Sequence, residues 1–138
     1  MGKKRKRRGF TLVELMVVIL IVGILAAVAV PILRGKINQA KWSEAAATAG
    51  AIRSAVRAEF AEDPVTVGAW NNQALDAATQ ATLGFQAGDL TGRYFAAGQF
   101  TIRSVDANGH ATIDVASPGA DAPGSGVLDN TGWAYTPP

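Results

Sequence analysis

Glu14 is the residue whose chemistry stands out. It is the only charge between Leu12 and Leu33, and it sits about one turn inside that apolar run. A carboxylate in a run of this kind is disfavoured on membrane-insertion scales, so it marks a functional position by default. The chemistry open to it is ion pairing. If the chain is cut between Gly9 and Phe10, a free α-ammonium appears at Phe10, on the boundary of the apolar run. Glu14 of the same or a neighbouring chain could then pair with it. A buried pair is not automatically stabilising; its use is to set the register between helices, because a lone carboxylate in lipid is strongly disfavoured. The plainer alternative is that Glu14, five residues from Gly9, lies near enough to the interface to reach water.

Other chemistry-bearing residues are scattered. His110 is the only histidine and stands beside an expected turn, which suits a solvated loop residue better than a base or a ligand. Asp121, Asp129 and Asn130 lie in C-terminal loops, and oxygen-rich loops can hold Ca²⁺. Their spacing matches no calcium-loop pattern, and turn chemistry explains them. With no cysteine, thiol catalysis and Cys-based zinc sites are excluded. No nucleophile elbow, phosphate loop or second histidine completes a catalytic constellation. The sequence therefore predicts a protein that is not an enzyme and needs no cofactor, calcium being the one weak candidate.

The element that must position Glu14 is a long helix. Six consecutive cations, Lys3 to Arg8, precede Gly9-Phe10-Thr11-Leu12-Val13-Glu14, and the apolar run continues to Leu33. Leu12 to Leu33 spans roughly 33 Å as a helix, enough to cross the hydrocarbon core of a bilayer. The cations read as a positive-inside signal rather than a nucleic-acid patch. Setting them aside leaves seven cations against eleven carboxylates, a net charge of −4, so no basic footprint for nucleic acid remains. Gly23 and Pro31 are the two weak points of the helix.

Beyond Arg34 and Lys36 the pattern becomes amphipathic. Trp42, Ala45, Ala49, Ile52, Val56 and Phe60 form one stripe of a 3.6-residue period. The predicted stop is Glu62-Asp63-Pro64, since the proline pushes Asp63 out of the helical region. Trp42 could anchor at a membrane interface, but its place on the stripe makes it a core contact. Pro64 to Asn72 reads as a connector, with Asn72 capping a short helix over Gln73–Leu83. Strands are expected at Gln99–Val105 and Ala111–Ser117, joined through Asn108-Gly109. A loop over Ser117–Gly126 follows, and then one final strand that includes Val127–Leu128 and Trp133–Tyr135. Trp133 and Tyr135 read as core rather than ligand platform. The expected fold is α+β: one long helix, membrane-spanning in its first half and amphipathic in its second, packed on a small three-stranded antiparallel sheet.

The stretch Lys3 to Pro31 resembles the processing region of type IV pilins and type II secretion pseudopilins. The basic leader, Gly9-Phe10-Thr11-Leu12-Val13-Glu14, Gly23, Pro31 and the amphipathic continuation carry the resemblance; beyond them only the architecture is similar. The resemblance implies a pilin-like division into a leader removed on processing (1–9), a transmembrane and filament-core helix half (10–33), an amphipathic half (34–63) and a small globular head (64–138). It implies cleavage after Gly9 by a prepilin peptidase, N-methylation of Phe10, and a Glu14 that contacts the amino terminus of an adjacent subunit. It implies helix loosening near Gly23 and Pro31. The implied partners are further copies of the chain in a filament, the peptidase, an inner-membrane assembly platform with its ATPase, and lipid before assembly. The implied location is the bacterial inner membrane, N-terminus cytoplasmic and head exported, and then a periplasmic or extracellular filament.

Three competing readings remain open on the sequence. Ala27-Val28-Ala29 fits an ordinary secretory cleavage site near Val30, although the apolar run is long for one and contains Glu14. A single-pass, membrane-tethered binding module that never polymerises is the alternative from another class. A DNA-uptake pilin would want a basic stripe on the sheet, and Arg93 and Arg103 are too few. Between pilus and pseudopilus, the short body without cysteine leans to the pseudopilus.

Overall fold

A computed structural model describes residues 9–138. They fall into two compact units, one ending at Ile37 and one running from Asn38 to Pro138. The helix α1, Leu12–Glu62, contributes to both.

In the first unit every residue from Leu12 to Ile37 is exposed. The helix passes through Gly23 and Pro31 without a break. This segment is long and apolar enough to cross a membrane. Its apolar side chains have no partner within the unit, so the helix depends on another environment to cover it.

The second unit is built on the expected stripe. Trp42, Ala45, Ala49, Ile52 and Val56 are fully buried, and Phe60 packs against the same core half-buried. Trp42 is therefore a core residue, 1% exposed, with its ring edge-on to Phe95 at 4.8 Å between centroids. The helix ends where the Asp-Pro pair requires: Asp63 has φ −131° and ψ 80°, outside the helical region. Asp63 then caps a second helix, α2, Pro64–Gly68, its carboxylate accepting the Thr66 N–H at 3.0 Å.

The sheet has five strands rather than the expected three: β1 Asn71–Ala74, β2 Phe100–Val105, β3 Ala111–Ala116, β4 Ser125–Asp129 and β5 Gly132–Thr136. Each pairs antiparallel with the next in chain order. Alternation places Phe100, Ile102, Ile113 and Val115 in the core with the helix stripe. Two corrections account for the extra strands. Val127–Leu128 and Trp133–Tyr135 do not belong to one strand: Asn130-Thr131 reverse the chain, and Gly132 supplies φ +131° there. Asn72 does not cap a helix: it lies in β1 with φ +52°, and the cap of α3, Ala77–Thr82, is Asp76, which accepts the Thr79 N–H at 2.8 Å. The span 64–72 is accordingly a helix and the start of a strand rather than a plain connector.

Candidate functional site

The helix start is built by Thr11. Its side-chain oxygen accepts the Glu14 N–H at 3.2 Å, and its carbonyl accepts the Leu15 N–H at 3.3 Å. Both are the bonds of an N-cap residue, which satisfies donors that a helix leaves open. Glu14 is thereby the acidic residue of the first turn, where the positive end of the helix dipole favours a carboxylate. Gly9, Phe10 and Thr11 lie outside the helix, and Phe10 is 78% exposed. The Gly9–Phe10 peptide bond and the Glu14 carboxylate are thus separated by one capped turn. Gly23 and Pro31, also in this unit, sit inside α1; a Cβ at Gly23 would meet nothing within 4 Å. The cationic run Lys3 to Arg8 lies outside the described residues.

In the second unit the polar residues fasten loops to the helix. Glu44, off the core stripe, accepts the N–H groups of Tyr94 and Phe95 at 2.9 and 3.1 Å. Arg53 donates to the Asp129 carbonyl at 2.8 Å and to the Asn130 side-chain oxygen at 3.0 Å, holding the β4–β5 turn. Lys41 donates to the Asp121 carbonyl, and the Trp42 indole N–H to the Pro123 carbonyl at 3.1 Å. Neither Glu44 nor Arg53 was a candidate from the sequence. Each depends on long-range contacts that periodicity does not encode.

Of the calcium candidates, Asp129 is engaged as a turn former. The Asp129 carboxylate accepts the Thr131 hydroxyl and N–H and the Gly132 N–H. Those bonds, the Thr131 hydroxyl first, hold its pKa below the usual carboxylate value. Asn130 spends its oxygen on Arg53 and its amide on Asp106 at 3.3 Å. Asp121 is exposed and engaged through its carbonyl. Among the described residues no group of three or more His, Asp or Glu side chains is gathered to hold a metal.

His110 stands in the β2–β3 hairpin turn. Asp106 organises that turn: one carboxylate oxygen accepts the N–H groups of Asn108 and His110, and the other faces His110 Nδ1 at 3.2 Å. The His110 N–H foremost, helped by Asn108 and Asn130, brings the Asp106 pKa down to about 2. The arrangement is a hydrogen-bonded turn.

The chemistry of the molecule therefore concentrates at the helix start, and comparison with known proteins points to the same place. The family profile described as "Prokaryotic N-terminal methylation motif" matches residues 4–30. The fimbrial protein EcpC of Eikenella corrodens is 42% identical over 62 residues, 45% of this chain and 40% of the relative. The type IV narrow pilus major component PilA5 of Thermus thermophilus is 50% identical over 50 residues, 36% of this chain and 43% of the relative. The type IV major pilin protein PilE1 of Neisseria gonorrhoeae is 38% identical over 116 residues, 83% of this chain and 47% of the relative. In its N-terminal motif, and over much of its length, the chain is similar to type IV pilins and fimbrial proteins. The chain spans about half the length of the curated relatives it matches. No solved structure matches it significantly. Its fold, a long helix whose first part is apolar and whose second part packs on an antiparallel sheet, is the α+β architecture expected from the resemblance.

Proposed function

We propose that the chain is the structural subunit of a type IV pilus-like filament. A prepilin peptidase cuts between Gly9 and Phe10 and methylates the new amino terminus. The segment Leu12–Leu33 first anchors the subunit in the inner membrane, with the leader in the cytoplasm and the globular unit exported. It then packs among the same segments of other subunits, driven by an assembly platform and its ATPase. Glu14 meets the Phe10 amine of an adjacent subunit and sets the axial register. The observation that carries this reading is an exposed apolar helix segment, Leu12–Leu33, with a single carboxylate, placed in its first turn. A carboxylate there costs free energy in lipid unless a cation meets it, and the cleavage supplies one. The relatives named above are pilus and fimbrial proteins, which supports a pilus over a pseudopilus.

The test has two readouts. Intact mass of the mature protein is expected to show a chain beginning at methylated Phe10; a chain beginning at Val30 sinks the reading. Glu14→Ala is expected to be processed and membrane-bound yet to give no filaments by electron microscopy. Normal filaments from that variant refute the role given to Glu14, and processed wild-type protein that never polymerises makes the chain a tethered module instead.

A further inference from the structure

We propose that Thr11 is a positioning residue for the processing step: its N-cap fixes the frame in which the helix starts and so keeps the Gly9–Phe10 bond extended. This rests on the processing reading above. Proteolytic enzymes take their substrate strand extended, and a peptide bond drawn into a helical turn is withdrawn from them. Here the structured chain passes from Gly9-Phe10-Thr11, which has no regular secondary structure, straight into a 51-residue helix at Leu12. Nothing in the sequence between Gly9 and Leu12 forbids helix, since no proline lies there. What stops the helix from running further is the cap: the Thr11 side chain takes the Glu14 N–H, and the Thr11 carbonyl takes the Leu15 N–H.

The alternative frame is specific. Gly ranks beside Thr as an N-cap, far above Val or Ala, and Gly9 is the glycine two residues upstream. A helix capped by Gly9 has Phe10 as its first residue, so the scissile bond becomes part of the first turn. Two features hold the Thr11 frame against it. One is the side-chain bond to Glu14 N. The other is the Glu14 carboxylate, which is third in the helix when Thr11 caps, the acidic place of a T-x-x-E capping box, but fifth when Gly9 caps. Removing the hydroxyl while keeping the shape, as in Thr11→Val, discards the first feature and moves population to the Gly9 frame. Thr11→Ser and Thr11→Asn keep a cap at position 11.

The experiment uses the full chain in detergent micelles with a purified prepilin peptidase, following cleavage by mass. Only the extended form is a substrate, so the uncapped variant is less populated in the competent state; KM rises and kcat stays. Thr11→Val is expected to raise KM by at most roughly fivefold, with Thr11→Ser and Thr11→Asn close to wild type. Backbone chemical shifts of Phe10 and Thr11 in the uncut Thr11→Val chain are expected to move toward helical values. Cleavage of Thr11→Val at the wild-type KM overturns the proposal. So does an equal loss in all three variants, which makes position 11 an enzyme contact rather than a cap. Wild-type chain that is not cut at Gly9–Phe10 removes both this proposal and the processing reading, whereas a cut wild type with an indifferent Thr11→Val removes this proposal alone.

Discussion

Gly126 in β4 leaves room for the indole of Trp133. A Cβ built on Gly126 would stand 2.7 Å from Trp133 Cζ2 and 3.0 Å from Trp42 Cζ3. These two rings, with Tyr135, close one end of the core: Trp42 lies 6.3 Å from Trp133 and 5.1 Å from Tyr135 between centroids. One methyl at position 126 must therefore push two large rings out of place, and overpacking of this kind costs about 1–3 kcal/mol. Gly126→Ala is expected to lower the urea midpoint of the full chain in detergent, read by tryptophan fluorescence. A midpoint within error of wild type contradicts this packing.

The core stripe, the helix stop and the β2–β3 hairpin were legible because each is written locally. Trp42 to Val56 repeat with the helix period, Asp63 precedes a proline, and Asn108-Gly109 favours a reversal; Gly109 has φ +77°. Strand β1 was not legible. Asn71-Asn72-Gln73-Ala74 has no strand propensity and exists because it pairs with Ser104, Ile102 and Thr101 of β2. Tertiary pairing overrode the capping pattern that Asn72 offered, and Asp76 capped the helix instead. The split between β4 and β5 did carry a signal, the turn-forming run Asp129 to Gly132, which was absorbed into one strand. At the candidate site, the motif around Gly9 and Glu14 was plain, but Thr11 as the residue that frames the helix needed geometry.

Glu44 reaches from the helix to the loop before β2. Its carboxylate takes two backbone N–H groups, and Gly92 passes so close that a Cβ there would collide with it. Phe95 beside it is 2% exposed, so its N–H finds no water when the carboxylate is removed. Leaving a buried donor unpaired costs about 1–3 kcal/mol. Glu44→Ala is thus expected to destabilise by about that amount and to speed amide hydrogen exchange at Tyr94 and Phe95. Glu44→Gln retains an oxygen acceptor and is expected to lose less. Unchanged exchange at both amides in Glu44→Ala would contradict the anchoring role.

Asp106 makes the acid stability of the second unit testable. Its pKa falls from 3.8 to about 2 in the folded chain, chiefly through the His110 N–H. A depressed carboxylate stabilises the fold above its unfolded value and loses that contribution as pH drops through the folded value. The window is therefore between about 3.8 and about 2. Asp106→Asn is expected to lower the unfolding midpoint at neutral pH and to flatten its fall across that window. Asp63, Asp76 and Asp129 are depressed in the same direction, so the variant should keep part of the slope. Parallel pH profiles for wild type and Asp106→Asn count against the hairpin bonds as the cause.

Gly23 and Pro31 weaken α1 by different physics, and a substitution separates them. Gly23 has open space where a Cβ would be, so Gly23→Ala adds no clash and removes only backbone freedom. On helix-propensity scales that gain is about 1 kcal/mol. Pro31 instead lacks the N–H that would reach the carbonyl of Ala27, a defect that alanine at position 23 leaves untouched. Amide exchange of the full chain in micelles should therefore slow roughly fivefold over the turn after Gly23 in Gly23→Ala, with little change in the turn that follows Pro31. Equal slowing at both places would mean that the helix opens as one unit from Gly23 through Pro31, and that the two residues mark a single loose segment rather than two.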